Sequence, residues 1–90
     1  MIEVVVYSKH DCHLCEEVKA QLARLRQAFP FELCEVNILE DPENFEKYRE
    51  EIPVVFVNSK KAFKYKLDEK DFLRRVEMIL ARERKIADGT

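Results

Sequence analysis

Ninety residues, 47% of them hydrophobic, can close one compact core, but a chain this short buries only about two-thirds of its unfolded surface, so one domain over residues 1–84 and a polar tail at 85–90 are expected. Lysine and arginine number 16 against 18 aspartates and glutamates, and a net charge of -2 supplies no basic field to hold a phosphate backbone, which excludes nucleic acid as an expected partner. The chain has no long apolar run, and its opening MIEVVVYSKH lacks the succession of basic, apolar and small residues that marks an export signal, so a cytoplasmic monomer without membrane contact is expected.

Residues 2–7 (IEVVVY) are β-branched and apolar apart from Glu3, the pattern of a strand covered on both faces. SKHDC breaks that pattern. Leu14, Val18, Leu22, Leu25 and Phe29 then recur at helical spacing, until Pro30 ends the helix. Residues 31–38 (FELCEVNI) return to an extended pattern, with Cys34 expected as a buried strand cysteine. Asp41 followed by Pro42 reads as an N-cap with proline at the first helical position, opening a short helix to about Arg49 with Phe45 and Tyr48 on its buried side. After Ile52 and Pro53 comes VVFV, then a polar turn at 58–61, then AFKYKL with Phe63, Tyr65 and Leu67 alternating against Lys64 and Lys66, which together read as a hairpin. Asp68 and Asp71 resemble a capping box before the stripe Phe72, Leu73, Val76, Ile79 and Leu80.

The order is α/β: strand, helix, strand, helix, strand, strand, helix. A right-handed crossover sets the first two strands parallel and adjacent, and the hairpin extends the sheet on the other side of the first strand.

Cys12-His13-Leu14-Cys15 falls where the first strand gives way to the first helix. The unpaired N–H groups and dipole of a helix's first turn favour a negative charge, so Cys12 is expected to be the nucleophile. Lowering a thiol from about 8.5 to about 7 raises its thiolate fraction at neutral pH from a few per cent to about half. Cys15 lies one turn further on the same face, where it can resolve a mixed disulfide. A protonated His13 would support the thiolate, while Glu16 and Glu17 would oppose it. An odd cysteine count with no export signal does not read as a secreted disulfide framework. Cys12 and Cys15, with His10 or His13 nearby, could be half of a zinc site, but a structural site needs a second ligand pair at a matching spacing and Cys34 is isolated in a strand, so no metal is expected.

The string YSKHDCHLC, with Ile52-Pro53 before a hydrophobic strand, resembles the glutaredoxins, and more closely the small glutaredoxin-like proteins whose motif contains CHLC. The resemblance implies a thioredoxin-like fold, a four-stranded mixed sheet flanked by three helices. It also implies a cis peptide before Pro53, with the Ile52 backbone offered to an extended substrate. Glutaredoxins bind glutathione through a lysine matching Lys9, an acid matching Asp68, and a Gly-Gly pair whose place is taken here by Tyr65-Lys66. Lys9 as a solvated charge and Asp68 as an N-cap account for both without a ligand. The implied activity is thiol-disulfide oxidoreduction on a protein disulfide or a glutathione mixed disulfide, with a cellular reductant, no resident cofactor and glutathione as a co-substrate. A non-catalytic binding module with a redox-sensitive cysteine pair and an iron-sulfur or other metal carrier are the alternatives.

Overall fold

A computed structural model describes residues 2–28 and 30–89. Strand β1 (Glu3–Ser8) leads into helix α1 (His13–Ala28), then β2 (Glu32–Asn37), a single 3-10 turn (Ile38–Glu40), α2 (Pro42–Tyr48), β3 (Val54–Val57), β4 (Lys60–Lys64) and α3 (Glu69–Gly89). The sheet order is β2-β1-β3-β4. β1 is parallel to β2 and antiparallel to β3, and β4 is antiparallel to β3. This is the thioredoxin-like arrangement expected from the sequence.

The register explains the layers. Pairing of Val4 with Val57 and of Val6 with Val55 puts these valines on one face of the sheet. There they join Val18, Leu22 and Leu25 of α1 and Phe72 and Val76 of α3 in the main core. The intervening pairs, Val5 with Phe56 and Tyr7 with Val54, turn to the opposite face, where Tyr48 of α2 packs 4.6 Å from Tyr7 and 6.1 Å from Phe56, centroid to centroid. β1 is thus buried fully on one side and partly on the other, since α2 has only seven residues.

That short helix also accounts for a correction. Cys34 is exposed rather than buried: β2 is an edge strand, and Cys34 pairs with Val5 on the partly covered face. Leu14 is likewise exposed, and the buried stripe of α1 begins instead at Cys15 and continues through Val18, Leu22 and Leu25; Phe29 lies outside the described residues. On α3, Leu73 and Leu80 face solvent while Phe72 and Val76 are buried, and the helix backbone continues through positions 85–89, which the sequence assigns to a polar tail.

The β3–β4 hairpin is tighter than expected. Asn58 and Ser59, at φ 47° and 69°, form its two-residue turn, the left-handed geometry that matches strand twist. A register irregularity at Val55/Phe56 and a left-handed Tyr65, φ 72°, end β4 early. Tyr65 is therefore exposed, and Leu67 alone of the expected Tyr65/Leu67 pair reaches the core.

Leu22 is completely buried, so Leu22→Ala should cost about 2–5 kcal/mol in urea unfolding. Cys34→Ser, at an exposed site, should change stability by no more than about 0.5 kcal/mol in the same measurement.

Candidate functional site

The cysteine pair is built by the end of β1. Asp11 takes a left-handed conformation, φ 55°, which a short polar side chain tolerates, and the chain reverses into α1 immediately after it. Cys12 becomes the residue that caps the helix: its carbonyl accepts the Glu16 N–H at 3.1 Å, and its Sγ accepts the Cys15 N–H at 3.2 Å. Sulfur here does what a serine or aspartate oxygen does at other helix starts. The two residues are joined as a disulfide, with a Cα–Cα distance of 5.1 Å.

The sulfurs sit in unlike surroundings. Cys15 is fully buried in a cluster with Ile38 and Ile52, whereas Cys12 is only partly buried, at the margin of that cluster with Tyr7, Phe45 and Tyr48. Ile52 arrives through a loop tied to the end of α2, with the N–H groups of Glu51 and Ile52 both donating to the Tyr48 carbonyl, at 2.8 and 3.1 Å. The Ile52–Pro53 peptide is cis, as the resemblance implied, and the Pro53 carbonyl accepts the Tyr65 N–H at 2.9 Å.

Glu51 pairs with Lys61 of β4, which fastens the same loop from its outer side. The hydrogen bond from Lys61 holds the Glu51 carboxyl below its ordinary value, with the charges of Lys61 and Lys64 adding to the effect and partial desolvation opposing it.

The other residues singled out from sequence are dispersed. His13 is highly exposed, its Nε2 3.1 Å from Glu17 Oε1 one turn along α1. Lys9 lines a cleft of about 300 Å³ of mixed charge, whose wall also carries His10, Asp11, Glu40 and Lys19, the last paired with Glu16 and Glu35. Asp68 caps α3, accepting the N–H groups of Lys70 and Asp71 at 3.0 and 3.2 Å, and borders a separate depression with Phe63, Lys66 and Leu67. The structure therefore groups Cys12, Cys15 and Ile52, with Pro53 directly attached, and sets Lys9 and Asp68 along other clefts. Among the described residues, no three or more His, Cys, Asp or Glu side chains converge as a metal site.

Sequence reasoning missed the aromatic wall. Tyr7 reads as the last residue of a strand and Tyr48 as the buried side of a short helix, yet both pack beside the cysteines. The signal was available in their positions, one at the end of β1 just ahead of the CxxC and the other just ahead of Ile52-Pro53.

The family model that matches this chain is the Glutaredoxin-like domain (DUF836), over residues 3–77. Among solved structures, protein Ne2328 from Nitrosomonas europaea is 35% identical, with 77% of this chain and 84% of that one covered and a TM-score of 0.68. Thioredoxin 1 from Thermosipho africanus is 11% identical, with coverages of 91% and 98% and a TM-score of 0.66. Fasciola hepatica thioredoxin is 18% identical, with coverages of 86% and 79% and a TM-score of 0.59; at such identities these two thioredoxins share the fold alone. No curated protein matches the chain.

Glu51→Gln should lower the thermal midpoint slightly at neutral pH. A depressed folded-state carboxyl stabilises above its unfolded value and loses that contribution as pH falls through the folded value. Parallel melts of both proteins should accordingly converge in acid.

Proposed function

The chain belongs to the glutaredoxin-like domain family, and from that premise we propose that it is a thiol-disulfide oxidoreductase that reduces protein disulfides or glutathione mixed disulfides through Cys12 and Cys15. The observation that carries the reading is the Cys12 sulfur accepting a backbone N–H at the start of α1, with Cys15 within bonding reach and walled off from solvent.

In the reduced protein, the same N–H and the positive end of the α1 dipole stabilise a Cys12 thiolate over the thiol. That thiolate attacks one sulfur of the substrate disulfide. A mixed disulfide forms, and the other substrate sulfur leaves as a thiolate that takes a proton from solvent. Cys15 then loses its proton and attacks the Cys12 sulfur, the mixed disulfide breaks, and the second substrate thiol departs. The substrate gains two electrons and the protein is left with a Cys12–Cys15 bond, the state described here. A cellular dithiol or glutathione must return the two electrons, so the reaction belongs in a reducing compartment, for which we propose the cytoplasm.

Burial of Cys15 orders the two steps. A visiting disulfide meets the partly exposed sulfur first, and the buried one acts only after the mixed disulfide has formed. Ile52, buried in one cluster with Cys15, supports a role for the Ile52–Pro53 segment in aligning an extended substrate. Lys9 and Asp68 as glutathione contacts and His13 as a support for the thiolate remain part of the proposal; Asp68 also caps α3 and His13 also pairs with Glu17, roles that need no ligand.

A disulfide-reduction assay coupled to glutathione reductase or thioredoxin reductase tests this. Cys12→Ser should fall to background with both electron sources. Cys15→Ser should arrest as a mixed disulfide on Cys12, visible as added mass. Turnover that persists without Cys12 would contradict the site assignment, and a wild type silent with both reductases would favour a binding module.

A further inference from the structure

The register brings four chain segments to one end of the sheet. Ser8 pairs with Asn37, Tyr7 with Val54, and Val54 with Lys64. The segments that leave or enter there carry Cys12 and Leu14, the 3-10 turn with Leu39, the Ile52–Pro53 peptide, and Tyr65. Leu14, Leu39 and Tyr65 are large apolar side chains exposed by 42%, 51% and 44%, respectively. Leu14 and Leu39 are each one residue from the buried cluster that holds Cys15, adjoining Cys15 and Ile38, and the Tyr65 N–H is bonded to Pro53, the residue after Ile52.

Tyr65 is the telling member. Its φ of 72° is disfavoured for any residue with a Cβ and is unusual for a bulky one. The comparable angles at Asn58 and Ser59 are what a two-residue hairpin turn requires, but Tyr65 lies outside that turn. Its backbone is set by the bond to Pro53, which a glycine would make with less conformational conflict. The ring gains little in return from the core. It lies half in solvent, with the Lys64 ammonium 5.5 Å from its centre.

We propose that Tyr65 is a specificity-determining residue for the dithiol reaction, resting on the function proposed above: held by its backbone bond to Pro53 and exposed at the same end of the sheet as Leu14 and Leu39, it selects, with them, disulfides carried on a polypeptide with an apolar side chain beside the cysteine. Burying such a side chain against the ring removes apolar surface from water on both partners. Glutathione, whose cysteine is flanked by a γ-glutamyl group and glycine, brings no such side chain and is the poorer substrate.

The test is single-turnover reduction by pre-reduced protein of three disulfides: a short peptide with leucine on either side of its cysteine, the same peptide with serine there, each joined to a free cysteine, and oxidised glutathione. The wild type should favour the leucine peptide over the serine peptide by about tenfold in kcat/KM, the scale of one apolar contact in a specificity pocket. Tyr65→Gly should bring that ratio close to one, chiefly through KM, without lowering the thermal midpoint, and Tyr65→Phe should keep it. If Tyr65→Gly retains the wild-type ratio, Tyr65 is only a turn residue and the proposal fails. If the wild type reduces none of the three, the oxidoreductase reading fails and the specificity role goes with it.

Discussion

The chemistry proposed for this chain depends on one hydrogen bond, from the backbone N–H of Cys15 to the sulfur of Cys12. A helix start leaves several N–H groups without partners inside the helix, and something at the cap position must answer them. Most helices use oxygen. Using sulfur gives this helix its cap and places a group that can ionise where an anion is most welcome. The same turn of helix that supplies the donor also carries the second sulfur, so the tuning of one thiol and the reach of the other come from the same local geometry.

The rest of the fold makes the two sulfurs unequal. β1 is central in the sheet and delivers Cys12 at its carboxyl end, while the stripe that begins at Cys15 drives that face of α1 into the interior. α2 and the loop after it close the other side: Phe45 and Tyr48 pack beside the cysteines, and the Tyr48 carbonyl gathers the N–H groups of Glu51 and Ile52 as the chain enters the cis peptide. Glu51 with Lys61 of β4, and Pro53 with Tyr65 just after that strand, fasten the loop to the hairpin. These ties are polar and partly exposed, so each adds little by itself. Together they hold the Ile52 side chain against the buried thiol.

Much of this was legible in the sequence because local rules agreed with the final structure. The β-branched run of β1, the Asp41-Pro42 start of α2 and the Asp68 cap of α3 each announce an element, and the cysteine pair falls at a strand-to-helix junction. What was not legible depended on partners distant in sequence. Cys34 reads as buried because its neighbours alternate, but its exposure follows from β2 lying at an edge and α2 being too short to cover that part of the sheet. Leu14 fits a helical stripe by spacing, yet the helix starts one residue before it and gives the inward position to Cys15. Tyr65 continues a strand alternation until the bond to Pro53 overrides it. Lys9 and Asp68 match a ligand-binding pattern by spacing along the chain, and the structure places them in the linings of two different clefts.

The central claim is that Cys12 ionises readily because of where its sulfur sits, and that Cys15 is shielded. The most direct measurement is the pH dependence of alkylation of the fully reduced protein by iodoacetamide, with the modified residue identified by peptide mapping. Modification should fall on Cys12 first, with an apparent pKa well below the ordinary thiol value of about 8.5. An ordinary value at Cys12, or faster labelling of Cys15, would contradict the account.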